Sequence, residues 1–331
     1  MNMENEYDVI IIGAGPIGLS CGIEAVRRKK KHLIIEKGCL VNSIFNYPTN
    51  MTFFSTSERL EIGDVPFVSH GDKPTRREAL EYFRRVKNTW DLNVHTYEKV
   101  EDINNNDSVF TVITDKGTYT AKNVIISTGF YDKPNYMNVP GEDLPKVRHY
   151  FDEAHPYAYL KLIVIGAANS AVDVALETYR RGSEVTMVIR ESKIKDSVKY
   201  WVKPDIENRI KEGSIKAYFD SFVTEIRENE VDIKTPDGMV TIENDFVFAM
   251  TGYHPDFDFL KKAGIDITGD TDAKPVYDSN TFETNVKGLY LAGVVCGGMD
   301  TGKLFIENSR FHAVGIFDHM KKPPAAGHKS A

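Results

Sequence analysis

Short, mostly apolar runs punctuate the chain at residues 9–12, 33–35, 124–126, 162–165, 185–189 and 246–250. Runs without a two-residue alternation suit strands buried on both faces of a parallel sheet. Helical patterns lie between them. Ala79, Leu80, Phe83 and Val86 recur at helical spacing behind Thr75 and Glu78, which are spaced as a capping box, so a helix is expected to about residue 88. Further helices are expected after Pro204 and from about 304 to 319. Segments at 92–94, 97–103, 109–114 and 119, and again at 215–219, 222–227 and 231–234, read as short strands in ribbons. Their turns fall at Asn104-Asn105-Asn106, Asp115-Lys116-Gly117 and Pro236-Asp237-Gly238. Residues 37–67 follow neither period, and 130–156 read as a connector. Each half therefore runs strand, glycine turn, helix, strand, ribbon, and a strand ending Thr-Gly (Thr128-Gly129 and Thr251-Gly252), a duplication of whole domains.

The first glycine turn is Gly13-Ala14-Gly15-Pro16-Ile17-Gly18. Gly13 permits the tight turn, Gly15 lets backbone approach a pyrophosphate, and Gly18 lets the helix pack close to the strand. The helix directs N–H groups and its positive end at the phosphates. The next strand ends at Glu36, a carboxylate placed to accept hydrogen bonds from a ribose. A dinucleotide site is expected here. The second turn, Gly166-Ala167-Ala168-Asn169-Ser170-Ala171, has Ala168 where the middle glycine would stand. No acid ends its second strand. Arg190, Lys193 and Lys195 gather there with Glu191, and such a basic cluster accommodates a 2′-phosphate, so NADPH is expected over NADH. The aromatic and amide residues of 37–67 suit the face and polar edge of a large planar ring.

Composition narrows this little. At 331 residues there is room for two domains. The net charge is −7 and basic residues are dispersed, which argues against nucleic acid as a partner. No apolar run approaches the roughly 20 residues of a membrane span. The acidic, polar start is unlike a signal peptide, so a cytoplasmic location is expected. Residues 323–331 are expected to be a disordered tail. Cys21, Cys39 and Cys296 form neither a C-x-x-C pair nor a metal site.

Together these elements resemble the two-dinucleotide-binding-domain flavoproteins of the thioredoxin-reductase-like branch, and more closely the YpdA-type bacillithiol disulfide reductases. The closer likeness lies in Ile34-Ile35-Glu36-Lys37-Gly38, Phe45-Asn46-Tyr47-Pro48, Ile62-Gly63-Asp64-Val65-Pro66-Phe67, His149-Tyr150-Phe151, Thr251-Gly252-Tyr253-His254-Pro255-Asp256 and Phe305-Ile306-Glu307-Asn308. The resemblance implies an α/β fold of two Rossmann-like, three-layer (ββα) domains. An NADPH domain (136–252) would be inserted in a discontinuous FAD domain (1–132 and 254–322). FAD contacts carry over to Gly13, Gly15, Pro16, Ile17, Glu36, Lys37, Asn46, Thr128, Gly129, Gly293, Val294 and Glu307. NADPH contacts carry over to Gly166, Asn169, Ser170, Arg190, Lys195 and Gly252. The implied reaction passes hydride from NADPH to flavin and electrons on to bacillithiol disulfide, in a homo-oligomer.

Two features depart from these families. The C-x-x-C dithiol of thioredoxin reductases is missing, and Ile17 stands where YpdA-type proteins usually carry a cysteine. No catalytic side chain is then assigned: the flavin itself is expected to pass the electrons on, with Cys296, just past Gly293, as the alternative. A ferredoxin–NADP reductase, which needs no cysteine, is the nearest rival reading, so a small redox carrier is the rival partner. A flavin monooxygenase and a flavin-binding protein without turnover are the others.

Overall fold

A computed structural model describes residues 5–106 and 109–321; the expected tail at 323–331 lies outside the described residues. The chain divides into two compact units. One comprises the described parts of 1–46, 51–133 and 253–331, the other 47–50 and 134–252.

The first unit opens with β1 (Glu6–Ile12), α1 (Pro16–Arg27), β2 (His32–Ile35), α2 (Asn42–Phe45), α3 (Ser57–Leu60) and α4 (Arg76–Thr89). Next come β3 (Val94–His95), β4 (Val100–Asn106), β5 (Val109–Thr114), β6 (Thr118–Ile126) and β7 (Lys133–Pro134). β1 is the sheet's spine, paired in parallel with β2 and β6 so that Ile12 lies opposite both Ile35 and Ile126. β6 changes character along its length. Its first half alternates where it pairs antiparallel with β5, and its last three residues are all buried. α4 carries the expected capping box, and its buried face is Ala79, Tyr82, Phe83 and Val86, the i, i+3, i+4, i+7 stripe. Tyr82 takes the place that spacing gave Leu80, stacking on Phe67 at 4.1 Å. The asparagines at 104–106 are strand, not turn: they pair with Thr111, Phe110 and Val109. The ladder overrides their local turn preference.

The second unit holds β8 (Val147–Arg148), β9 (Lys161–Ile165), α5 (Asn169–Tyr179), β10 (Glu184–Val188), α6 (Lys203–Lys211), β11 (Lys216–Tyr218), β12 (Phe222–Ile226), β13 (Glu230–Thr235), β14 (Gly238–Glu243) and β15 (Phe246–Ala249). Its parallel sheet has the order β11-β10-β9-β15-β8, with β12-β13-β14 as a separate antiparallel ribbon. β8, inside what reads as connector, is two residues long and pairs with β15, too short to leave a pattern in sequence.

The chain then returns to the first unit as β16 (Tyr253–His254), α7 (Phe257–Lys262), β17 (Leu289–Leu291), α8 (Ile306–Ser309) and α9 (His312–His319). β17 pairs in parallel with β6, completing β2-β1-β6-β17 as adjacent parallel strands. The single helix expected over 304–319 is two helices, broken at Arg310 and Phe311. The Arg310 guanidinium donates to the Glu61 carbonyl, and His312 turns inward to the glycine turn that follows β17. Among the described residues no helix is long and apolar enough to cross a membrane.

Candidate active site

In the first unit the chain leaves β1 through Gly13, whose φ is +102° and whose added Cβ would lie 2.7 Å from the Ser127 carbonyl oxygen. The Gly13 N–H donates to the Ile35 carbonyl at 2.8 Å. A Cβ on Gly18 would collide with the Gly13 carbonyl, so this helix approaches this strand only as glycine. Gly15 is different: nothing lies within 4 Å of its would-be Cβ. It caps α1 without a side-chain hydrogen bond, Pro16 opens the helix, and the first turn holds no acid. A helix end without a side-chain cap, with open space beside Gly15, suits the approach of phosphate oxygens.

Glu36 follows β2 and is buried. Its two oxygens accept from the Ala14 N–H at 2.9 Å and the Gly38 N–H at 3.0 Å. Burial raises its pKa, partly offset by those two N–H donors. A carboxylate has about four acceptor positions, so capacity remains for ribose hydroxyls. Lys37 turns to Asp132 at 2.7 Å.

The other strand ends converge on the same edge. An added Cβ on Gly293 (φ +89°) would lie 3.2 Å from the Ile17 side chain, and one on Gly129 would lie 3.9 Å from Val294. Ile17, Thr128, Gly129, Gly293 and Val294 therefore sit with the first glycine turn at the carboxyl ends of β1, β6 and β17, where open α/β sheets bind ligands. Asn46, at the end of α2, is exposed, and its carbonyl accepts from the Tyr131 hydroxyl at 3.2 Å. Glu307 lies on α8, which packs against α1 and α3; its carboxylate faces Arg59 at 3.8 Å, and its Oε2 is buried with no hydrogen-bond partner among the described residues.

Sequence reasoning missed two residues of this region. Ser127 donates from Oγ to the Ile12 and Gly13 carbonyls at 3.0 and 3.1 Å; its position just before Thr128-Gly129 was the available signal. His312 accepts from the Gly293 N–H at 3.2 Å through Nδ1 and stacks on Phe282 at 4.2 Å. Burial pushes its pKa down to about 4, so it is a neutral acceptor. No local pattern announces it.

The thiols are placed unfavourably for attack. Cys296 is 1% exposed in the core beside Val295, Cys21 is fully buried on α1, and burial raises both pKa values. Cys39, half-buried, is raised too, by burial and then by the Glu36 charge. Among the described residues no group of three His, Cys, Asp or Glu side chains could hold a metal ion.

The second unit repeats the turn. The Gly166 N–H donates to the Val188 carbonyl at 3.0 Å, φ is +128°, and an added Cβ would lie 2.6 Å from the Met250 carbonyl oxygen. Ala168 caps α5 in extended conformation without a side-chain hydrogen bond. Asn169 is engaged with the following loop, donating to the Ser197 carbonyl at 3.2 Å and accepting from the Lys199 N–H at 2.9 Å. Ser170 is exposed. Gly252 (φ +90°) lies beside Asn135 after β15. Arg190 is 78% exposed, and both it and Lys195 pair with Glu191, at 3.3 and 3.1 Å. Lys193 pairs instead with Asp196.

A family model described as pyridine nucleotide-disulphide oxidoreductase matches residues 10–293. The chain is 48% identical over 317 residues to the bacilliredoxin reductase Bdr of Bacillus subtilis (strain 168), covering 95% of this chain and 97% of that protein. It superposes on the bacillithiol disulfide reductase Bdr (YpdA) of Staphylococcus aureus with a TM-score of 0.93 at 43% identity, covering 96% of this chain and 98% of that one. The thioredoxin reductase of T. acidophilum, at 21% identity, shares the fold, with a TM-score of 0.75 over 96% of this chain and all of that one. The chain therefore belongs to the pyridine nucleotide-disulphide oxidoreductases and, within them, to the Bdr family. It is an NADPH-dependent flavoprotein oxidoreductase of thioredoxin-reductase-like fold, with FAD and NADPH as its cofactors.

Proposed function

We propose that the enzyme reduces bacillithiol disulfide with NADPH, the first unit holding FAD and the second NADPH. The whole-length likeness to Bdr proteins carries the disulfide reading. The residues fit the cofactors: the open cradle at Gly15, the uncapped start of α1 and the buried Glu36 suit a pyrophosphate and ribose, and the exposed Arg190 suits a 2′-phosphate. FAD, when bound, would supply the two-electron redox chemistry between NADPH and the acceptor. The chain's part is placement. Gly13 and Gly18 bring α1 against β1, Glu36 holds the turn by two N–H bonds, and neutral His312 fixes Gly293. In the second unit Gly166 and Asn169 shape the turn and the strap over it. Lys37, Thr128, Val294 and Glu307 complete the proposed FAD contacts; Ser170, Lys195 and Gly252 complete those to NADPH. A homo-oligomer and a cytoplasmic location, where NADPH is the reductant pool, belong to the same proposal.

The cysteines favour a second reading, in which a small redox carrier protein takes the electrons and no thiol of this chain takes part. Anaerobic NADPH oxidation by the yellow protein distinguishes the two. Acceleration by bacillithiol disulfide is the expected result. Bleaching of the flavin by NADPH, with oxidation accelerated by oxidised ferredoxin and not by the disulfide, would replace the first reading with the second.

A further inference from the structure

The short helix α2 is held at both ends by residues outside it. At its entry Val41 has φ 50° and ψ 47°, a left-handed conformation rare for a β-branched residue, and its N–H donates to the Ala14 carbonyl of the first glycine turn at 3.1 Å. At its exit Arg76, the first residue of α4, donates from Nε to the carbonyls of Ile44 at 3.2 Å and Phe45 at 3.1 Å, and from a terminal nitrogen again to Phe45. The guanidinium also lies over the Phe45 ring, 5.3 Å from its centroid. A four-residue helix leaves its last carbonyls without partners in the helix, and Arg76 takes up two of them. This is an awkward place for a cation, since the positive end of α4's dipole lies there. The clamp ends one residue short of Asn46. That residue's N–H and its side-chain Nδ2 both donate to the Asn42 carbonyl, at 3.0 and 2.9 Å, so the side chain is tied to α2 itself, and its own carbonyl is taken by Tyr131.

We propose that Arg76 is a positioning residue for the flavin: by fastening the Ile44 and Phe45 carbonyls it sets the Asn46 side chain at the edge of the bound ring. This rests on the reading of Asn46 as an FAD contact. A guanidinium fork serves two carbonyls at once, whereas a lysine ammonium is a point donor, so the residue type matters and not only its charge.

The test compares Arg76→Gln, Arg76→Lys, Tyr131→Phe and Asn46→Ala in the FAD-loaded full chain. The readouts are the position of the flavin's visible absorption band, its midpoint potential, and the FAD dissociation constant. Asn46→Ala is expected to shift the band. Arg76→Gln should shift it in the same direction and weaken FAD roughly tenfold, the loss of about one charge-assisted hydrogen bond. Arg76→Lys should recover part of the shift, and Tyr131→Phe, which removes one hydroxyl donor, should give a smaller shift of the same sign. A lower melting temperature in Arg76→Gln with band and potential unchanged, while Asn46→Ala shifts them, would overturn the proposal and leave Arg76 a helix cap. If Asn46→Ala itself leaves band and affinity unchanged, the Asn46 reading fails, and the proposal with it. Should Arg76→Gln fail to fold, Arg76→Lys and Tyr131→Phe decide by the same signs.

Discussion

The two glycine turns use one backbone solution and differ in what they leave room for. In both, the first glycine donates to the strand beside it and presses against a carbonyl of the next, Ser127 in one unit and Met250 in the other. The register then equates Glu36 with Ile189 and Lys37 with Arg190, because Ile35 and Val188 occupy matching places opposite Ile12 and Ile165. Gly18 corresponds to Ala171, which is fully buried and carries a Cβ. On the proposed assignment of the cofactors, the same strand and turn serves a dinucleotide with glycine or alanine at the third position and with or without a carboxylate at the ribose. What is shared is the turn; what is tuned is the chemistry of the next strand's end.

Exchanging the third positions should break this comparison most severely. Gly18→Ala puts a methyl into the Gly13 carbonyl, a backbone group that cannot yield as the end of a flexible side chain could. A loss of about 3 kcal/mol in stability is expected, and bound FAD should be lost with it. Ala171→Gly should cost about 1 kcal/mol, the ordinary helix penalty, and leave NADPH binding intact. Urea unfolding and flavin absorbance of the two variants measure both effects. Equal losses would show that the two helices approach their strands alike.

The carboxylate that only the first unit has should show itself in pH dependence. Burial raises the folded pKa of Glu36 above its ordinary 4.5, so the folded FAD-free protein binds this proton more tightly than the unfolded chain. Its contribution to stability is fully present below the unfolded value and is lost as pH rises through the folded value. The urea midpoint of FAD-free wild type should therefore fall relative to Glu36→Gln as pH rises from about 4.5 upward. Bound FAD should reverse the order at neutral pH, since Gln accepts fewer hydrogen bonds than a carboxylate. Parallel midpoints at every pH would mean that Glu36 is solvated in solution.

Arg190, in the matching region of the second unit, is exposed and shared with Glu191, so the effect should be smaller. Arg190→Ala should weaken NADPH roughly tenfold and NADH little, as expected for one charge-assisted phosphate contact. Glu191→Gln releases both Arg190 and Lys195 and should tighten NADPH about two- to fivefold. Titration by nicotinamide fluorescence checks both, and an equal loss for NADH in Arg190→Ala would remove the 2′-phosphate from the account.

The sequence shows most of what the duplication repeats. Apolar runs without alternation mark β1, β2, β9 and β15, because strands buried on both faces leave no polar positions, and each glycine turn is a local constraint written in local residues. What stays hidden is decided across distance. The strand character of Asn104 to Asn106 comes from a partner ladder, and that of β8 from its pairing with β15. The break between α8 and α9 follows from Arg310 reaching Glu61 and His312 reaching Gly293. Within the site, the glycines and Glu36 are legible; Ser127, His312 and Arg76 act on backbone groups far from themselves in sequence, which no spacing rule records.

All three cysteines lie in the first unit, so the smallest expected effect is also the sharpest test of what that unit passes on. Cys296 follows the Gly293 turn closely enough to suggest a redox role, yet it belongs to the same buried core cluster as Ile10, Val124 and Leu289. A thiol whose pKa is raised by burial stays protonated at neutral pH, and the thiolate is the attacking species. Cys296→Ala should cost about 1 kcal/mol of stability as a buried heavy atom is lost, while leaving NADPH-driven flavin bleaching and acceptor-dependent turnover unchanged. Cys21→Ala should behave likewise. If Cys296→Ala keeps the bleaching but loses disulfide-dependent turnover, the thiol must reach substrate by a motion that uncovers it, and burial in the resting fold would be its guard against oxidation rather than a sign of packing alone.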